Sequence, residues 1–179
     1  MKILILTASF GDGHNAAARN LRDAIVLLDG RASVEVLDLF ESTYGTLNTL
    51  MKQGYQGVVR YAPALWSRMF GIFDNPELFR RQMNWAGQLR RTLAELLQRA
   101  KPDVVISTYP VYAHLIADLF RDGAPRPFRL ITVITDSISV CSAWYLAPSD
   151  LLVVANEATA AVLFKAGVLL SGCGCWGFR

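Results

Sequence analysis

Lys2-Ile-Leu-Ile-Leu6 runs straight into Thr7-Ala8-Ser9-Phe10-Gly11-Asp12-Gly13-His14-Asn15-Ala16-Ala17-Ala18, and the reading of that junction decides the fold. Four successive aliphatic residues with no polar alternation are the pattern of a strand covered on both faces. Gly11 and Gly13 let the backbone turn sharply and let a ligand come close to the amides. The alanine-rich stretch from His14 onward begins a helix. A strand turning through glycines into a helix puts free N–H groups and a positive dipole end at the strand's carboxyl end, where an anion such as a diphosphate is the natural occupant. His14 falls in the first helical turn, at the mouth of that cleft, where the dipole keeps an imidazole neutral as a base must be. The lesser alternative is an ordinary helix-start residue beside a tight turn.

Outward from the junction, short apolar runs alternate with helix-patterned stretches. Strands are expected at Lys2–Ala8, Ser33–Phe40, Asp103–Thr108, Arg129–Thr135 and Leu151–Ala155, with helices at His14–Leu28, Val111–Arg121 and Glu157–Ala166. This alternation predicts an α/β fold, a Rossmann-like parallel sheet with helices on both faces, over residues 1–168. One connection is too long for a simple crossover. From Tyr44 to Phe73 apolar residues recur at steps of three and four, an amphipathic helix bent or broken near Pro63. A second helix follows Pro76, with Leu78, Phe79, Met83, Ala86, Leu89, Leu93, Leu96 and Leu97 on one side. The pair is expected as a helical insertion at about 44–100.

Charge is concentrated there. Residues 44–101 hold nine Lys and Arg against three Asp and Glu, while the whole chain of 179 residues carries only +3. Aromatic residues, among them Tyr55, Trp66 and Phe70, lie among Arg68, Arg80 and Arg81. That mixture suits anionic lipid headgroups, although two amphipathic helices packed on the sheet with their Arg residues in solvent fit as well. Apolar residues make up 53% and charged ones 18%, which excludes a disordered chain. A secretory signal is not expected, nor is a run long enough to span a bilayer. Three cysteines (Cys141, Cys173, Cys175) form neither a disulfide framework nor a zinc site, and no metal is expected.

The other strand ends also carry polar residues to the same carboxyl edge. Asp136, within Thr135-Asp136-Ser137, could orient His14, bind a hydroxyl or cap a turn, and Trp144 and Tyr145 behind it read as a flat apolar wall or as core aromatics. His114, a turn inside the helix that starts near Pro110, reads as a structural histidine. Asn156 and Glu157 read as a helix cap and first-turn acid. Asp38 ends the second strand, where a ribose-binding acid would stand, but Ala16 occupies the third glycine position of the dinucleotide fingerprint.

Together, the T-A-x-F-G-D-G-H-N-x-A-A junction, the Tyr61-Ala-Pro-Ala-Leu-Trp66 insertion, the P-D-V-V-I-S-T-x-P strand and the V-I-T-D loop followed by Trp resemble the monogalactosyldiacylglycerol synthase family. The resemblance spans roughly Met1 to Val168. It implies the N-terminal, acceptor-binding half of a GT-B glycosyltransferase, inverting and using no cofactor, that moves a hexose from a UDP-sugar donor to diacylglycerol. By that likeness His14 is the general base, with Asp136 supporting it or binding acceptor. Gly11 and Gly13 approach the donor diphosphate, while Trp144, Tyr145, Trp66, Arg68, Arg80 and Arg81 meet acceptor or lipid. The implied partners are diacylglycerol and anionic membrane lipids, with UDP-sugar bound only alongside a C-terminal domain and no nucleic acid. The implied location is cytoplasmic, on the inner face of the membrane. Asp12 departs from the plant-type loop, which has glycine there. Residues 169–179 continue no recognisable pattern, so the expectation is a chain lacking the donor-binding domain, inactive alone, with a disordered or frame-disrupted tail.

Overall fold

The computed structural model describes residues 1–62, 64, 86–121, 123–137, 140–168 and 173–175. Six strands, β1 (Lys2–Thr7), β2 (Ser33–Asp38), β3 (Val104–Ser107), β4 (Arg129–Ile134), β5 (Leu151–Val154) and β6 (Cys173–Cys175), form one sheet in the order β2-β1-β3-β4-β5-β6. Every pairing is parallel. The helices are α1 (Asp12–Leu28), α2 (Leu39–Tyr44), α3 (Thr46–Tyr61), α4 (Gly87–Ala100), α5 (Pro110–Leu119) and α6 (Glu157–Lys165).

The uninterrupted aliphatic run of β1 follows from its place inside the sheet. Leu4 and Leu6 enter a large core with residues of α2, α4, α5 and α6, whereas Ile3 and Ile5 pack on the opposite face against Ala18, Leu21 and Ile25 of α1. Each such side chain, buried, contributes about 1.5–3 kcal/mol. Among the described residues α1 is the one helix contributing to the core on its face.

The region expected as an insertion divides. The strand expected to run to Phe40 stops at Asp38, because the Asp38 carboxylate accepts from the Phe40 and Glu41 amides and starts α2 there. Gly45, at φ 51°, separates α2 from α3. Helix α4 buries Leu89, Leu93, Leu96 and Leu97, the stripe read from sequence, and is the crossover helix that delivers the chain to β3. Helix α3 buries Asn48 but leaves Leu47, Leu50 and Tyr61 exposed. The expected bend at Pro63 and the helix start at Pro76 lie outside the described residues. No strand is expected over 169–179, yet Cys173–Cys175 pairs with Leu152–Val154 of β5.

Candidate active site

Strand order reverses between β1 and β3, and the crevice beyond their carboxyl ends is where a parallel sheet offers room to a ligand. Four segments meet there: the β1–α1 loop, the residues after β3, the residues after β4, and α3.

A chain of side-chain hydrogen bonds braces the first loop. Thr7 Oγ1 donates to Asn15 Oδ1 (2.9 Å), Asn15 Nδ2 donates to Ser9 Oγ (2.9 Å), and Ser9 donates through both its amide (2.9 Å) and its hydroxyl (2.6 Å) to Asp38 Oδ2. Asp38 Oδ1 is taken by the Phe40 and Glu41 amides at 3.0 and 3.2 Å. With both oxygens doubly engaged, Asp38 ties the loop to α2 and has no lone pair to spare for a ribose hydroxyl. Gly11 lies at φ 114°, ψ 155°, a region only glycine populates without strain, and as the N-cap residue it offers the α1 amides no side-chain bond. Gly13 is exposed, and a Cβ there would meet nothing within 4 Å. The amino end of α1 is therefore open, flanked by the Asp12 carboxylate in its first turn.

His14 follows in that turn, half-buried. Its Nδ1 lies 2.8 Å from Thr135 Oγ1, and its carbonyl accepts from Thr108 Oγ1 at 3.2 Å. The ring stands edge-on to Tyr109 (centroids 5.1 Å) and tilted against Trp144 (6.0 Å). Burial pushes the imidazole pKa below its ordinary value, opposed by the Thr108 carbonyl and by the negative charge of Asp136. Near neutral pH the ring is accordingly uncharged.

Asp136 makes no hydrogen bond to His14. Its Oδ2 accepts from the Trp144 indole N–H at 2.8 Å. Strand alternation explains the division of labour. Ile131 and Val133 face α1, so Thr135 continues their row toward the α1 first turn. Ile134 points into the larger core, and Asp136 continues its row toward Trp144 there. Period-2 counting along β4 is the signal that separates the two neighbours. Trp144 is 2% exposed. It is a core aromatic that holds Asp136 and backs the His14 ring, and not an open wall. Tyr145 is half-buried against the same core. His114 is structural, as the sequence suggests: its Nε2 lies 2.7 Å from the Ala143 carbonyl and anchors the turn carrying Trp144. Asn156 caps α6, accepting from the Thr159 amide at 2.8 Å. Trp66, Arg68, Arg80 and Arg81 lie outside the described residues.

The aromatic side of the cleft has no signature in the spacing of the sequence. Phe10 stacks on Tyr109 (5.9 Å) and meets Phe40 (5.1 Å) and Tyr55 (6.1 Å) edge-on. Tyr55 comes from α3, and its hydroxyl pKa is raised by burial and then by Asp136. Tyr112, fully buried, donates to the Thr7 carbonyl (2.7 Å) and accepts from the Leu39 amide (3.2 Å), locking the end of β1 to the start of α2. The result is a neutral imidazole with an aromatic flank on one side and an uncapped helix end on the other.

Comparison with known proteins follows the same residues. A family profile described as monogalactosyldiacylglycerol (MGDG) synthase matches residues 14–175. A probable chloroplastic monogalactosyldiacylglycerol synthase of Nicotiana tabacum is 31% identical over 150 residues, covering 80% of this chain and 27% of that protein. A processive diacylglycerol beta-glucosyltransferase of Bacillus thuringiensis (strain Al Hakam) is 30% identical over 169 residues, covering 93% of this chain and 42% of that protein. The same holds for its counterpart in Bacillus cereus (strain AH187). The chain thus spans less than half the length of these curated relatives. With its parallel sheet, its glycine junction and a match over most of its length, the chain belongs to the monogalactosyldiacylglycerol synthase family.

Proposed function

We propose that this chain is the acceptor-binding half of an inverting glycosyltransferase that moves a hexose from a UDP-sugar to diacylglycerol, with His14 as general base. The observation that carries the reading is a single one: a neutral, half-buried imidazole in the first turn of a helix whose amino end is open, at the reversal point of a parallel sheet.

The chemistry needs both features. The acceptor hydroxyl oxygen attacks the anomeric carbon, the bond from that carbon to the diphosphate oxygen breaks, and UDP departs with the electron pair. The hydroxyl proton passes to the free nitrogen of His14, which is available to take it because burial keeps the ring unprotonated. The α1 amides and dipole end stabilise the charge that grows on the leaving diphosphate. Phe10, Tyr55 and Tyr109 offer apolar surface to the glycerol and upper acyl region of the lipid. The names of the relatives, a synthase of monogalactosyldiacylglycerol and diacylglycerol glucosyltransferases, support this choice of acceptor. The rest of the donor site would come from a region corresponding to the unmatched part of those relatives.

The test is UDP-hexose turnover on diacylglycerol vesicles by this chain joined to the C-terminal region of the Bacillus thuringiensis relative. His14→Ala should lower kcat by about 10²–10⁴-fold, the usual worth of a positioned base. A variant that turns over like the parent chimera would overturn the assignment of His14.

A further inference from the structure

The geometry points to Asn15 as a positioning residue, a clasp that closes the first loop on itself and holds the residues inside it in place. Asn15 Nδ2 donates to Ser9 Oγ at 2.9 Å, so one side-chain bond spans Phe10, Gly11, Asp12, Gly13 and His14. These residues carry what the proposed function draws from the loop: an aromatic wall, the amides at the start of α1, and the imidazole. The bearing of the clasp on turnover rests on that reading, whereas the clasp itself does not.

Polarity explains why the residue is an asparagine. The Asp38 carboxylate can only accept, and Ser9 has one hydroxyl proton, so their 2.6 Å contact commits that proton to Asp38. Ser9 Oγ is then left to accept, and the Asn15 atom facing it must be the amide nitrogen. The amide oxygen thereby turns to Thr7 Oγ1 at 2.9 Å, which must donate. One carboxylate thus orients three side chains in series, and every bond runs the same way, from the end of β1 through α1 to the start of α2. A side chain at 15 must donate to Ser9 and accept from Thr7, which an amide does and a carboxylate or a hydrocarbon does not.

The fold does not depend on the clasp. Strand β1 is buried inside the sheet, and α1 is seated by Ala18, Leu21 and Ile25, beyond residue 15. Between these anchors Gly11 and Gly13 give the backbone its greatest freedom. The Phe10 ring and the Thr108 bond to the His14 carbonyl are further tethers, but neither joins the two ends of the loop. Opening the clasp therefore loosens the loop more than the fold, and a reaction that depends on placed donors and a placed base loses rate.

Two measurements read these two parts separately: ¹⁵N relaxation of the labelled full chain, and UDP-hexose turnover by the chimera. In the parent chain the Gly11 and Gly13 amides should show order parameters of about 0.85. In Asn15→Ala they should fall below about 0.6 while β1 and the rest of α1 are unchanged. Turnover should fall about ten- to a hundredfold at a Tm within a few degrees of the parent, because alanine favours the helix and offsets part of the lost bonding. Ser9→Ala opens the same clasp from the other side and keeps the residue 9 amide on Asp38, so the double variant should lose no more than the worse single. Asn15→Asp, equal in shape but unable to donate, should loosen the loop as alanine does. A loop as ordered in Asn15→Ala as in the parent, or single losses that add, overturns the inference. So does a loosened loop with undiminished turnover in a chimera that His14→Ala disables. Should Asn15→Ala not fold, Ser9→Ala and Asn15→Asp decide. A loosened loop in a chimera indifferent to both Asn15→Ala and His14→Ala would instead leave the clasp standing and remove the reading of this loop as the reacting site.

Discussion

The two glycines of the first loop show how one residue type serves two purposes a few ångströms apart. Gly11 is needed for its backbone: at φ 114°, ψ 155° any other residue is strained, although a Cβ there would clash with nothing. Gly13 is helical and has open space around it, so under the proposed function its value would lie in what an added methyl meets when the donor diphosphate arrives. Alanine substitution separates the two roles. Gly11→Ala should destabilise the chain by about 1–3 kcal/mol, read as a lower Tm. Gly13→Ala should raise stability by about 0.5–1 kcal/mol, because alanine favours the helix, while depressing UDP-hexose turnover in the chimera. A Gly13→Ala variant that is both more stable and fully active would remove close approach of a diphosphate as the reason for that glycine. His14 belongs to the same scale: its type and position were legible in the sequence, but its partner was not. Thr135 and Asp136 are adjacent at a strand end and project to opposite sides, so only the strand's register tells which of them meets the ring.

At the scale of elements, what sequence made legible was what periodicity encodes. The five aliphatic strands and helices α1, α5 and α6 stand within a few residues of their expected places, as does the buried leucine stripe of α4, since burial on both sheet faces and on one helix face writes itself into hydrophobic spacing. Boundaries set by single side-chain bonds did not show. The end of β2 is fixed by the Asp38 carboxylate and the break before α3 by Gly45, neither of which interrupts an apolar pattern. Strand β6 is not legible in sequence because Cys-Gly-Cys has no apolar run of its own and forms against the neighbouring edge of β5. Asp38 carries the clearest consequence, since one carboxylate both starts α2 and holds Ser9 in the glycine loop. Asp38→Ala removes a helix cap worth about 1 kcal/mol and two further bonds to a charged acceptor. We expect a loss of about 2–4 kcal/mol in urea unfolding, with NAD giving no thermal stabilisation to the parent chain. If NAD raises the parent's Tm, Asp38 is open to a ribose after all.

The whole molecule is electrostatically lopsided, and that asymmetry bears on how it would reach a lipid acceptor. Residues 44–101 carry nine bases against three acids. Some of that charge is internal bookkeeping: Lys52 pairs with Glu41 at 3.6 Å and Arg90 with Asp118 at 3.4 Å. Other parts are outward. Arg60, Arg91, Arg99 and Lys101 are exposed, and α3, which has no acidic residue, shows Leu47, Leu50 and Tyr61 to solvent with Arg60 over the Tyr61 ring at 5.4 Å. Among the described residues no helix is long and apolar enough to cross a membrane. Exposed leucines and a tyrosine beside bases are the composition of an interfacial element, and α3 also sends Tyr55 into the cleft, so one helix would touch both the lipid surface and the reacting site. Docking of this kind depends on charge, since each base near an anionic surface contributes about 1 kcal/mol and the Debye length falls from about 10 Å at 0.1 M salt to about 3 Å at 1 M. Sedimentation with diacylglycerol vesicles should therefore recover several-fold more protein when anionic lipid is included, and the excess should vanish at about 1 M salt. Arg60→Glu together with Leu50→Gln should reduce the excess without lowering Tm, since both side chains are exposed. Recovery that is indifferent to lipid charge and to salt would detach α3 from the membrane and leave its tyrosine as a wall of the cleft alone.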